Sequence, residues 1–456
     1  MKLSKLFFMA AMGLGLVACT ENDLVEGGDS NGAQNEGTTY VGFTIDFSKT
    51  QTRATTETGT DAEQKINTAY VLMTDASDKI EKVLSFTGDN DAGVTEGEGY
   101  YKDKGKFLFK TSAGVHHFYA VVNPETAPTT ENLTINDYFK TAVALNVDNI
   151  ASVTDEENGS FMMASEDVLI ASVEDGVTEE EALAGSANSY TINVERASAK
   201  VTMTCDDKTL TNATNNAGGT LDETQFTLKQ GAGVSFRMAQ ASIIADDDNT
   251  FEYTSDPTTV YIEGTDPSEE ANNIYRSAAP VYCLENIRGS YLQGNTTYLT
   301  LKTTFKPANV VDCNNPLNGL VTNTHKEGIG DELTFYVVKQ GELAGNYLME
   351  ADLQDYRDEK GDQSALPAGV EAISDAYTDG NCYFGPIWIG QTDTDNANAP
   401  IYRNTWYNLK ITGITLPGDP NEPVPDGGQG LTPATNVAIT LSVMPWNFID
   451  REIDLQ

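Results

Sequence analysis

Apolar residues in this chain alternate with polar ones in short runs, and this period of two restricts its fold more than any other feature. In the stretch from Thr39 to Phe47, the side chains of Val41, Phe43, Ile45 and Phe47 fall on every second residue. That spacing places them on one face of a strand. Further strand candidates are residues 69–73, 106–110, 117–123, 159–164, 190–196 and 200–204 in the first half. The second half adds 225–228, 235–239, 297–305, 332–338 and 405–414. Turn-forming Gly, Asn and Asp clusters such as 88–93 and 155–159 separate the runs. Glu and Ala gather for a turn or two of helix near 178–184, and no long amphipathic helix stands out. Many short strands with few short helices define an all-β chain of antiparallel β-sandwiches.

At 456 residues the chain exceeds what one compact core supports. Its composition softens around Ala184 to Ser189, so the reading is two sandwiches in tandem, 39–186 and 187–456. A Pro- and Gly-rich segment, 417–430, precedes the last strand, 435–456. There Val437, Ile439, Leu441 and Val443 alternate with Ala438, Thr440 and Ser442. Such a strand either pairs within its own domain or adds to the open sheet edge of a neighbour.

The N-terminus has Lys2 and Lys5 ahead of an apolar run from Leu6 to Val17. That run is too short to span a bilayer and has the length of a signal-peptide core. It ends in Leu16-Val17-Ala18-Cys19, the lipobox pattern, whose thiol becomes thioether-linked to diacylglycerol. Residues 1–18 are therefore expected to be a lipoprotein signal peptide, with Cys19 acylated. Residues 19–38, acidic and nearly devoid of apolar side chains, form a flexible tether.

The 68 acidic residues outnumber 28 basic ones, for a formal charge of −40. A field of that sign repels nucleic acid and anionic headgroups. The 20 Tyr and 17 Phe mark a folded chain despite the acidity. Cys205, Cys283, Cys313 and Cys382 form no C-x-x-C unit. They are candidates for disulfides in an exported protein; their pairing is open, and one bridge or none is as compatible as two. His116 and His117 are adjacent on a strand and point to opposite faces, and His325 stands apart, so no metal site is expected. Residues 391–398 resemble a calcium loop only faintly: Ala397 stands at a ligand position, and no Gly makes the sharp turn. The acidic run 246–249 reads as a solvated loop. No nucleophile elbow, phosphate loop, dinucleotide fingerprint or zinc-protease helix appears, so neither a cofactor nor an enzyme activity is expected.

The lipobox, the first strand followed by Thr52-Arg53-Ala54, and the C-terminal strand together resemble the Bacteroidales fimbrillins, lipoprotein shaft subunits of type V pili. Phe161-Met162-Met163-Ala164, the segment from Val194 to Val201, and the segment from Tyr282 to Asn286 add to the resemblance. So do the segment from Asn404 to Leu409 and Met444-Pro445-Trp446.

The resemblance implies transthyretin-like sandwiches and a precursor held at the outer membrane by its lipid before it joins a cell-surface fimbrium. It also implies an arginine-specific protease as partner, cutting here between Arg53 and Ala54. That cut would release the strand bearing Val41, Phe43, Ile45 and Phe47. A strand from another copy, here the one bearing Val437, Ile439, Leu441 and Val443, would then fill the groove. Further copies and accessory pilus subunits are the implied partners. Four inward side chains at roughly 1.5–3 kcal/mol each make the open groove costly, and an exposed edge invites stray pairing. The alternative is a tip adhesin, an anchor subunit or another surface lipoprotein that binds a ligand without polymerising. A terminal strand held in its own sheet would favour that alternative.

Overall fold

The computed structural model describes residues 37–46, 57–58, 60, 62–75, 77–87, 100–102, 106–129, 134–139, 143–144, 151–153, 159–239, 259–261, 264–265, 274–276, 279–323, 333–391, 397–434 and 437–447. Strands dominate it, as the alternation requires. Among the described residues, nine strands form the first sheet. Its order is Ile80–Thr87, Thr68–Thr74, Gly114–Val122, Met163–Ser165, Ser189–Arg196, Thr39–Asp46, Lys106–Thr111 and Tyr100–Lys102, with Leu169–Val173 also paired to Gly114–Val122. Neighbours run antiparallel, apart from the parallel pairing of Thr39–Asp46 with Ser189–Arg196.

Leu84, near one end of that order, and Phe109, near the other, share one core with Val71, Phe118 and Phe161. Lys82 Nζ donates to the Lys110 carbonyl at 3.1 Å. The sheet therefore folds over on itself and encloses the first core. Its opposite face carries Leu72, Tyr119, Val121 and Met162, which pack with Ala232, Met238 and Leu284 from the second half.

The second sandwich faces a seven-stranded sheet against a four-stranded one, again among the described residues. The larger sheet centres on Ser198–Asp206 and Thr405–Ile414, paired in parallel. The smaller has the order Thr259–Tyr261, Gly219–Lys229, Tyr298–Pro307, Asn381–Trp388. Val201, Met203 and Leu409 from one side meet Phe226, Leu301 and Phe384 from the other in a second core. A satellite of Phe335–Gln340, Tyr347–Met349 and Ala372–Ile373 packs with the helix Glu350–Lys360 through Val338, Leu348 and Leu353.

Ser189–Arg196, which the sequence reading placed at the head of the second sandwich, is hydrogen-bonded into the first. The chain changes sheets at Ala197, because Ser198 already pairs with Leu284. The helix expected near 178–184 is Glu179–Ala184, begun by a capping box between Thr178 and Glu181 and stopped by Gly185 at φ 77°. Two longer helices, Asp207–Ala217 and Glu350–Lys360, were not expected. The first is built from Thr and Asn, which carry little helical propensity, and the second is polar on nearly every side with only Leu353 buried.

Candidate functional site

The first strand, Thr39–Asp46, occupies an inner position in its sheet. On one side Gly42 to Asp46 pair in parallel with Ser189 to Asn193. On the other, Thr39 to Thr44 pair antiparallel with Thr111 to Lys106. Its alternation is realised as expected: Val41, Phe43 and Ile45 are buried in the first core. The Phe43 ring stacks on Phe109 at 5.5 Å, meets Phe118 edge-on at 4.7 Å and lies 6.1 Å from Tyr190.

The outer face of the strand is covered as well. The helix Glu179–Ala184 lies across it, and a Cβ added at Gly42 would stand 2.9 Å from the Ala182 carbonyl oxygen. Only glycine fits there without a shift, and each added side-chain atom asks the helix to move further. At the beginning of the strand, the Thr39 hydroxyl donates to the Glu174 carbonyl at 2.7 Å and accepts from the Val177 amide at 3.0 Å. Asn188, held at φ 43°, completes this cradle. Its amide donates to Thr39 Oγ1 at 3.1 Å, the Tyr40 carbonyl at 3.0 Å and the Glu174 carbonyl at 2.9 Å. Its Oδ1 accepts from the Glu174 amide at 2.8 Å.

The terminal strand, Val437–Asn447, pairs antiparallel with Thr405–Ile414 along its length. Its other edge meets only the two residues Glu57 and Thr58 among those described, opposite Trp446 and Asn447. Among the described residues it is thus an edge strand but for that two-residue neighbour. Val437 and Ile439 are half-buried against the second core, and Ala438 is exposed. Leu441 and Val443 hold backbone register with Leu409 and Tyr407.

Between the sandwiches lies a buried polar cluster that the sequence reading missed. Glu63 is fully buried, with Oε1 2.7 Å from Lys200 Nζ and 2.7 Å from the donating Tyr282 hydroxyl. Burial raises the Glu63 carboxyl pKa, but the Lys200 charge and hydrogen bonds from Lys200, Tyr282 and the Thr60 amide hold it below the usual carboxylate range. Arg196 donates to the Glu63 carbonyl at 3.2 Å and to Asn404 Oδ1 at 3.2 Å. Lys200 Nζ lies 4.1 Å from the Trp406 ring centre, a cation–π contact. Nearby, Arg403 binds the Glu285 carboxylate and approaches Glu195 at 3.9 Å, while Arg237 binds Glu125. Charges from both sandwiches neutralise one another here. The one sequence signal was the charged pair Arg196 and Lys200 flanking the small, buried Ala197-Ser198-Ala199.

Of the other expected site residues, Cys19, Phe47, Arg53 and Ala54 lie outside the described residues. Cys205, Cys283, Cys313 and Cys382 are buried thiols, and no disulfide joins them. Burial pushes the thiols of Cys283 and Cys382 up to about 12, which makes them inert at neutral pH. Among the described residues no three His, Cys, Asp or Glu side chains converge on a common metal position, and no helix is long and apolar enough to cross a membrane.

An all-β protein of tandem sandwiches, with an inner strand at its beginning and an edge strand at its end, is the class this architecture defines. Residues 375–452 match the family model described as major fimbrial subunit protein type IV, fimbrillin, C-terminal. By that match the C-terminal part of the chain is similar to the fimbrillins, a family of fimbrial subunit proteins. Among solved structures, a fimbrilin from Porphyromonas gingivalis W83 shares 16% identity at a TM-score of 0.48, covering 91% of this chain and 99% of that one. The tip fimbrial protein Mfa3 from Porphyromonas gingivalis, with C-terminal truncation, shares 12% identity at 0.38, covering 89% and 100%. These likenesses are distant, and the similarity to fimbrillins rests on residues 375–452. Comparison with curated protein sequences finds no match.

Proposed function

We propose that the chain is a pilus shaft subunit that polymerises by strand exchange after its first strand is cut away. The observation that carries this reading is the inner position of Thr39–Asp46 between Ser189–Arg196 and Lys106–Thr111. Removing an edge strand would merely narrow a sheet. Removing this one leaves two facing strand edges and a groove that had held Val41, Phe43 and Ile45. Exposing three such positions costs about 5–9 kcal/mol, so the groove has a strong preference for an occupant of the same period. A cut between Arg53 and Ala54 would leave the next stretch anchored, because Glu63 is tied to Lys200 and Tyr282 between the sandwiches. The incoming strand is the terminal strand of another copy, whose departure breaks its pairing with Thr405–Ile414 and Glu57–Thr58 and leaves the rest of its sheet paired. Before the cut, the acyl chain on Cys19 holds the precursor at the outer membrane.

A second reading is favoured by one observation: the terminal strand is paired to Thr405–Ile414 along its length. A strand held there permanently makes the protein a tip, anchor or ligand-binding surface subunit. N-terminal sequencing and mass measurement of protein sheared from cells, with a gel run before and after boiling, separates the two. A start at Ala54 with a heat-sensitive ladder supports the shaft subunit. A single acylated species starting at Cys19 sinks it and leaves the second reading.

A further inference from the structure

We infer that the groove admits the terminal strand of a second copy in one register only, with residues 435–443 taking the places of residues 39–47. The inference rests on the strand-exchange reading and adds to it the rule that sets direction and alignment. Written side by side, Thr39-Tyr40-Val41-Gly42-Phe43-Thr44-Ile45-Asp46-Phe47 and Thr435-Asn436-Val437-Ala438-Ile439-Thr440-Leu441-Ser442-Val443 carry the same residue at three places. These are Thr39 with Thr435, Val41 with Val437, and Thr44 with Thr440. The two segments are remote in sequence, and the strands Thr39–Asp46 and Val437–Asn447 sit in different sheets.

Two features of the groove make this alignment selective. The cradle at its beginning holds a hydroxyl: Thr39 Oγ1 is met by the Val177 amide, the Asn188 amide and the Glu174 carbonyl. In the inferred register Thr435 brings a hydroxyl to that place. The helix Glu179–Ala184 closes the outer face at Gly42, where even a Cβ stands 2.9 Å from the Ala182 carbonyl oxygen. The inferred register puts Ala438 there, the smallest side chain of the terminal strand, whose single methyl asks the least shift of the helix.

Other alignments fail on one feature or both. Sliding the incoming strand so that Ile439 replaces Val41 puts Thr440 under the helix and Val437 in the polar cradle. It also brings Pro445, which has no amide hydrogen, to the place of Phe47. Sliding the other way puts Thr435 at the place of Val41, in the apolar core. Reversing the strand with Val443 at Val41 sets Pro445 in the cradle; reversing it with Leu441 at Val41 sets Val443 there and Thr440 under the helix. The groove therefore reads a hydroxyl, then a small residue, along an otherwise alternating strand.

The register is read by disulfide trapping in full-length protein processed and polymerised on cells. Thr44 pairs with Thr191, so Thr440→Cys in one copy faces Thr191→Cys in the next, within reach of a disulfide. Before exchange, Thr440 pairs instead with Lys410. The double variant should give a ladder that survives boiling and collapses on reduction. Thr440→Cys combined with Ser189→Cys or Asn193→Cys, one step to either side on the same face, should give at least tenfold less. A second variant guards the result: Ala438→Phe lies on an exposed position of the parked strand and folds, yet should abolish the ladder. A normal ladder trapped best through position 189 or 193, or unaffected by Ala438→Phe, overturns the register and leaves strand exchange standing. A complete absence of ladder in the unsubstituted protein overturns strand exchange, and the register with it.

Discussion

Under the proposed strand exchange, truncating Phe43 separates what holds the unprocessed chain together from what would hold a polymer together. The ring is fully buried and touches Phe109, Phe118 and Tyr190 within 6.1 Å. A buried Phe cut to Ala costs about 3–5 kcal/mol, and aromatic pairs add about 0.5–1.5 kcal/mol each beyond burial. Phe43→Ala therefore belongs near the upper end, roughly 4–5 kcal/mol, a loss of about a thousandfold in the folding equilibrium of the first sandwich. Ile439→Ala is its complement. That side chain is half-buried in the parked terminal strand, so its truncation should cost about 1 kcal/mol in the unprocessed chain. In a neighbour's groove the same truncation should cost about 2–4 kcal/mol. The assay is urea unfolding of the unprocessed protein, kept intact by Arg53→Gln, beside the dissociation temperature of the sheared polymer. Phe43→Ala should weaken the first and leave the second unchanged; Ile439→Ala should lower the first by only about 1 kcal/mol and weaken the second more. A polymer weakened by Phe43→Ala would mean that the first strand is still in it, and the argument would be refuted. A loss below about 1 kcal/mol in the unprocessed chain would equally refute the packing assigned to the ring.

The remaining expectations concern the junction and the thiols. Glu63 has a folded pKa below its unfolded one, so the stability it contributes is complete above about pH 4.3 and is lost as pH falls through the lower folded value. Acid titration of stability should therefore show a slope below about pH 4.3 that Glu63→Gln lacks; an unchanged slope would contradict the assignment. Arg403→Ala leaves the Glu285 and Glu195 carboxylates buried without their shared partner and should cost about 3–5 kcal/mol, measured by thermal unfolding. A cost under about 1 kcal/mol would show that water reaches the pair. Unfolded Cys19→Ser protein, never exposed to reductant, should titrate with four thiols while the native form reacts with none, and a mass increase on reduction would reveal a disulfide instead.

Much of the first strand was legible because its alternation is strict and its apolar positions Val41, Phe43 and Ile45 are the ones buried in the core. The terminal strand was legible from its alternation, which Val437, Ala438 and Ile439 follow in their exposure. Where these strands go was not. Alternation states that a face is buried but not which strand lies alongside, and the parallel partner Ser189–Arg196 looked like the start of the next domain for that reason. Val194 alternates as well in either sandwich as in the other. Asn188 was invisible because a lone Asn before a strand is an ordinary turn residue, and its four hydrogen bonds come from segments remote in sequence. Glu63 was missed because a carboxylate in a polar stretch reads as solvated. Only the arrival of Lys200 and Tyr282 from the other sandwich makes its burial tolerable. The helix Glu179–Ala184 was readable from Thr178 and Glu181, whereas Asp207–Ala217 is held by strands on either side against its own composition.

The parallel pairing of Gly42 with Ser189 also governs when the first sandwich can close. A growing chain has its first strand from the outset, but the strand that receives it emerges only after nearly all the rest of the sheet has been made. Contacts between distant segments form late, since the intervening loop must close first. Every subunit thus passes through a state with an empty groove on its way to the native fold, and pulse-labelled hydrogen exchange would read that order directly. Strands that meet the open edge in this interval include those of neighbouring chains. Carrying the first strand on the same chain gives it a high local concentration over any intruder, so it acts as a built-in chaperone for its own sheet.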